Sequence, residues 1–93
     1  MLKHIVLFKL KKEKIHLKDR LIKELEKMSM DLFIKKEVGT DIVGSKRAYD
    51  VCLLIEFQKL DDLKEYDKFQ PHLDLKDFFR EVSEDIAVID YEF

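Results

Sequence analysis

"AYDVCLLIEF", residues 48–57, carries two patterns at once. Tyr49, Val51, Leu53, Ile55 and Phe57 fall on one parity, while Cys52 and Leu54 occupy the other between Asp50 and Glu56. Strict alternation of this length predicts a β-strand. Apolar residues on both parities predict that the strand is covered on both sides. The fold therefore has to provide two covers.

The flanking segments show where similar strands lie. Residues 3–11 place His4, Val6, Phe8 and Leu10 on one parity, and Ile5 and Leu7 on the other among Lys3, Lys9 and Lys11. The closing "IAVIDYEF", residues 86–93, sets Ile86 and Val88 against Ala87, Ile89, Tyr91 and Phe93. Residues 32–44, "LFIKKEVGTDIVG", read as an irregular second strand. Within it Gly39 marks a bulge or bend, and Gly44 begins the turn.

Between these strands the period changes. Leu21, Ile22, Leu25 and Met28 predict an amphipathic helix over 17–29. A second helix starts near Asp61 as N-cap and runs to about Phe69. Pro71 interrupts it, and Leu75, Phe78, Phe79 and Val82 predict a third helical piece over 73–83. The order is β-α-β-β-α-β, an α+β ferredoxin-like arrangement with an antiparallel four-stranded sheet, within one domain spanning residues 1–93. Helices can cover only one face of that sheet. The other face, apolar at its centre, is expected to pack on a second copy and make a homodimeric α+β barrel.

Composition narrows the function classes. The chain is 46% hydrophobic and 41% charged with two Gly and one Pro, which describes an ordered globular protein. A net charge of −2 gives no reason to expect nucleic acid as a partner. The charge is uneven, with nine Lys/Arg against four Asp/Glu over residues 1–30 and four against eleven over 61–93. Folding is expected to bring these ends together and neutralise them. Cys52 is the only cysteine, so an intrachain disulfide, a CxxC pair and a thiolate zinc site are excluded. The apolar run of the N-terminal segment is too short for a signal peptide or a membrane span, and a cytoplasmic, membrane-independent protein is expected.

Three histidines are the candidate chemistry. His16 lies beside a basic loop and receives no role. If His4 faces the helices, it converges with Tyr66 and His72 on one pocket lined by Val6, Phe8, Leu21 and Phe78. A neutral imidazole exchanges protons near neutrality, and a phenol donates to an oxygen that gains negative charge. That pairing suits removal of a proton beside a carbonyl. Metal binding by His4 and His72 would require Asp74 or Glu65 as well, and no spacing calls for it, so no metal site is assigned. Phosphate-loop, nucleophile-elbow and zinc-helix motifs are missing from the chain.

With these segments in order, the chain resembles the stress-responsive α/β-barrel (Dabb) domain family of the dimeric α+β barrel superfamily. The similarity lies in "KHIVLFKLK" with His4, "VGTDI" with Val38 and Gly39, "AYDVCLLIEFQKLDDLKEY" and "IDYEF" with Asp90 and Tyr91. The family's Tyr-x-x-His-Pro-x-His segment reads "YDKFQPH" here. Tyr66 and His72 match, Phe69 replaces the first histidine, and Pro71 comes one position later. The resemblance implies a dimer with a pocket between sheet and helices. It also implies His72 as general base, Tyr66 as its assistant and His4 as a pocket residue, as in a plant polyketide cyclase of the family.

Three functions follow as expectations. The first is a small homodimer binding a partly apolar small molecule without a cofactor. The second is a cofactor-independent acid–base enzyme using His72 and Tyr66 for aldol or enolisation chemistry. The third is a haem-binding or monooxygenase-like barrel, for which the chain offers no tryptophan and no evident axial-ligand context.

Overall fold

The computed structural model describes residues 1–93. Its elements are β1 (Leu2–Leu10), a 3-10 helix (Lys12–Leu17), α1 (Lys18–Lys27), β2 (Lys35–Thr40), β3 (Val51–Phe57), α2 (Leu60–Asp67), α3 (Gln70–Val82) and β4 (Ser83–Glu92). The strands form one sheet in the order β2-β3-β1-β4. All pairings are antiparallel. This is the ferredoxin-like α+β fold.

The alternation of β1 sorts the two faces. Leu2, His4, Val6, Phe8 and Leu10 are buried beneath the helices. Their partners across the ladder are Phe57, Ile55, Leu53 and Val51 of β3 and Asp90, Val88 and Ile86 of β4. Leu21 and Leu25 of α1, Leu63 and Tyr66 of α2, and Phe79 and Val82 of α3 close on this face to form the core. The opposite face carries Ile5, Leu7, Cys52, Leu54, Ala87, Ile89 and Tyr91, placed there by the same register. Its apolar residues reach 58% exposure at Ile89.

Local details depart from the sequence reading in several places. Residues 12–17, ahead of the expected helix, wind as a 3-10 helix before α1 begins. α1 ends where the Lys36 ammonium donates to the carbonyls of Leu25, Glu26 and Met28, which would otherwise lack partners. Burial lowers the Lys36 pKa, against the opposing charge of Glu26. Gly39 is not a bulge; it sits opposite Cys52 in unbroken register. The irregularity lies instead between Lys9 and Leu10 on the β1–β4 ladder.

The helical break also moves. It falls at Lys68 and Phe69, whose N–H groups donate to the carbonyls of Glu65 and Tyr66. α3 already begins at Gln70, with Pro71 in its first turn. A proline is at home there because the first-turn N–H has no intrahelical partner to lose.

Regular strand geometry starts at Val51, and Asp50 acts as a clamp just ahead of it. Its N–H donates to the Phe8 carbonyl at 2.8 Å. Its carboxylate accepts from the Leu10 N–H at 2.7 Å. Nearby, Tyr49 donates its hydroxyl proton to Asp85. No helix is long and apolar enough to cross a membrane. Replacing Asp50 by Ala leaves the Leu10 N–H without its acceptor. The expected loss is about 1–3 kcal/mol of unfolding free energy, read from urea denaturation.

Candidate functional site

A cavity of about 330 Å³ opens between the sheet and the two later helices. β1 supplies His4, Val6 and Phe8, and β4 supplies Ile86, Val88 and Asp90. α2 contributes Leu63, Tyr66 and Asp67, and α3 contributes His72, Lys76, Phe79 and Arg80. Most of the wall is apolar, and the polar groups are few and ionisable. That is the composition of a small-molecule pocket, at the lower end of the usual volume range of roughly 300–1,000 Å³.

His4 is 7% exposed and reaches the cavity because the alternation of β1 aims it at the helices. The β1–β4 register sets Asp90 directly opposite. The His4 Nδ1 and Asp90 Oδ1 atoms stand 2.5 Å apart. A carboxylate in that place fixes the neutral ring as the Nδ1–H tautomer and turns the Nε2 lone pair away from it. Nε2 is buried without a hydrogen-bond partner.

His72 enters from the first turn of α3, and its Nδ1 is likewise buried and unpartnered. Its pKa is pushed down to about 4, first by burial and then by the nearby Lys76 ammonium. Asp67 acts in the opposite direction, and His4 adds a smaller lowering effect. The ring is therefore neutral across the physiological range.

Tyr66 joins the two histidines. Its ring meets His72 edge-on at 4.2 Å between centroids and His4 at 5.7 Å. Phe33 and Phe57 pack on its other sides. The hydroxyl is turned to the Met28 sulfur at 3.8 Å, and Met28 is not part of the cavity wall. Burial pushes the phenol pKa well above its ordinary value, with the Asp67 charge acting in the same direction. In this arrangement Tyr66 presents its ring to the pocket and keeps its proton.

The structure thus brings His4, Tyr66, His72, Val6 and Phe8 to one cavity, and it places two expected lining residues elsewhere. Leu21 is fully buried in the core beneath α1. Phe78 lies under the Arg20 guanidinium, 4.6 Å from ring centroid to cation, on the side of α3 that faces α1. Its neighbour Phe79 lines the cavity and packs on Phe8 at 5.1 Å. A helical turn of 3.6 residues explains the difference, since adjacent positions point about 100° apart.

Asp67, Lys76, Arg80 and Asp90 were outside the sequence-derived site. A signal for Asp90 exists in the parity it shares with Ile86 and Val88. One for α3 exists in the i, i+4, i+8 spacing of His72, Lys76 and Arg80. No group of three or more His, Cys, Asp or Glu stands close enough to hold a metal ion. Asp74, one possible ligand, accepts a hydrogen bond from Gln70.

Residues 2–93 match the family of the stress responsive A/B barrel domain, Dabb. The chain belongs to this family. A dimeric protein of unknown function with a ferredoxin-like fold from Bacteroides fragilis is 31% identical to it. The two superpose with a TM-score of 0.84 over 99% of this chain and 95% of that one. The hydroxynitrile lyase of Passiflora edulis shares the fold at 19% identity and a TM-score of 0.79, over 97% and 90% of the chains. An antibiotic biosynthesis monooxygenase does so at 16% identity and 0.73, over 100% and 98%. No curated protein matches the chain.

The low His72 pKa has a measurable consequence. The unfolded chain takes up this proton near the ordinary value of about 6.5, before the folded one does. Stability should therefore fall as pH drops from about 6.5 towards 4 and level off below. The His72 ring protons should titrate near 4 by NMR. His72→Gln should remove this part of the decline in acid denaturation curves.

Proposed function

We propose that this Dabb protein is a homodimer that binds a small, partly apolar molecule in the cavity between sheet and helices. One observation carries the ligand reading. Two imidazole nitrogens, His4 Nε2 and His72 Nδ1, are buried in an apolar-walled cavity with no partner. Buried polar atoms left unpaired cost about 1–3 kcal/mol each, so a ligand oxygen that reaches them gains affinity. The molecule suited to the site has an apolar body and a hydroxyl group, which can donate to the His4 Nε2 lone pair.

The dimer reading rests on the uncovered sheet face. Ile5, Leu7, Leu54, Ala87, Ile89 and Tyr91 form a continuous apolar surface by register. Such a surface is covered in solution more often than left wet. The related Bacteroides fragilis protein is dimeric. Two copies packed face to face would bury both sheets and put the cavities on the outer sides.

The paired imidazoles favour a second reading, a cofactor-independent acid–base enzyme acting beside a carbonyl. His72 is then the base. It is neutral at pH 7, and its low pKa makes it a weak acceptor that returns the proton readily. His4, oriented by Asp90 as the Nδ1–H tautomer, offers its Nε2 lone pair as a second proton acceptor. Tyr66 assists by setting the angle of His72 through ring contact, since its hydroxyl faces Met28. The monooxygenase-like reading draws support from shared fold alone.

Each reading has a test. In an NMR titration, 2-naphthol should shift the signals of Val6, Leu63 and Val88. His4→Ala and His72→Ala should each weaken it about tenfold, the equivalent of one hydrogen bond. Shifts scattered outside the cavity would rule the ligand reading out. For self-association, sedimentation at micromolar concentration should give twice the chain mass, and Leu54→Glu should halve it. For catalysis, a turnover found in a metabolite screen should drop at least a hundredfold in His72→Ala. Unchanged turnover would remove His72 from the mechanism.

A further inference from the structure

The mouth of the cavity has a charge arrangement that ligand binding in general does not require. His72, Lys76 and Arg80 occur at i, i+4 and i+8 on α3, so one stripe of the helix runs along the opening. Lys76 is half-buried, yet it takes part in no ion pair and no side-chain hydrogen bond. Arg80 has one carboxylate contact, with Asp77 at 3.5 Å, and the Asp77 side chain is 97% exposed. An ion pair so open to water is weak, and the guanidinium is free to turn to another anion.

The carboxylates of the wall are disposed differently. Asp90 is held by His4. Asp67 lies at the end of α2 and pairs with neither cation. The lining therefore holds one unpaired cation, Lys76, and one weakly paired one, Arg80, a helical turn apart, facing two carboxylates of which one is committed. We infer that the ligand is a monoanion, an apolar carboxylic acid whose carboxylate lies between Lys76 and Arg80 while its body extends into the cavity. This rests on the ligand-binding reading above and adds its chemical class.

Geometry and charge both limit the anion. A planar carboxylate presents two oxygens, one for the ammonium and one for the guanidinium fork. A phosphate monoester would bring nearly two charges against Asp67 and Asp90. Beyond the mouth, Val6, Leu63, Phe79 and Val88 favour a ring or branched chain over a sugar.

The probe pair is 2-naphthoate and 2-naphthamide, equal in shape and different in charge, titrated calorimetrically with NMR mapping of the site. Wild-type protein should bind the carboxylate at least tenfold more tightly, and that preference should shrink as salt rises. Lys76→Met should bring the two affinities within about twofold, and Arg80→Met should reduce the preference partially. Arg80 is exposed and Lys76 half-buried, and circular dichroism checks that the fold is kept in both variants. Equal binding of both probes to wild type, or a preference that survives Lys76→Met, overturns the charge assignment and leaves the pocket reading standing. Shifts of neither probe in the cavity overturn both.

Discussion

β1, like β3, is hydrogen-bonded on both sides, and its register decides which residues meet the helices. A slip of one residue would exchange its faces, sending Val6 and Phe8 outward and Ile5 and Leu7 inward. Both parities are apolar, so hydrophobicity alone opposes such a slip weakly. Polar groups supply the missing specificity. Asp50 grips the Leu10 N–H and the Phe8 carbonyl. His4 finds Asp90 only when it sits opposite it. The residue that faces the cavity is therefore also one that holds the strand in place.

The second determinant is the short break between α2 and α3. Two residues between the helices, with Phe69 extended, let the chain turn, and Pro71 sits in the first turn of the next helix without sacrificing a hydrogen bond. The turn sets Tyr66 at the end of one helix against His72 at the start of the next. Tyr66 is fully buried among Phe33, Phe57 and both cavity histidines. It behaves as a wedge that fixes the angle between the helices and the tilt of the imidazoles. The two histidines end in different electrostatic settings. One is backed by a carboxylate; the other is desolvated and lies near an ammonium. Two proton-exchanging groups with unlike surroundings are what acid–base chemistry requires, and also what orients a polar ligand atom.

Family membership accounts for the scaffold, while the character of the pocket comes from this chain's own residues. Phe69, where the family commonly has histidine, is half-buried against the core instead of adding a third imidazole. Lys76 and Arg80 bring positive charge to the mouth. Structures as different in described activity as a lyase and a monooxygenase share the fold, which fits the general rule that function resides in the site and not in the architecture.

Alternation and helical spacing in the sequence determined the element order and the apolar character of both sheet faces, and made the meeting of His4, Tyr66 and His72 conditional on His4 facing the helices. Those features are local or periodic, and a linear pattern carries them. The tertiary structure decided which neighbours meet. It paired His4 with Asp90, 86 residues away. It also turned the Tyr66 hydroxyl to Met28, put Phe79 instead of Phe78 into the cavity wall, and gathered Asp67, Lys76 and Arg80 at its mouth. Register, helix rotation and side-chain direction settle such contacts. Each depends on packing against distant segments, and one face of a helix cannot be told from the next until something is packed on it.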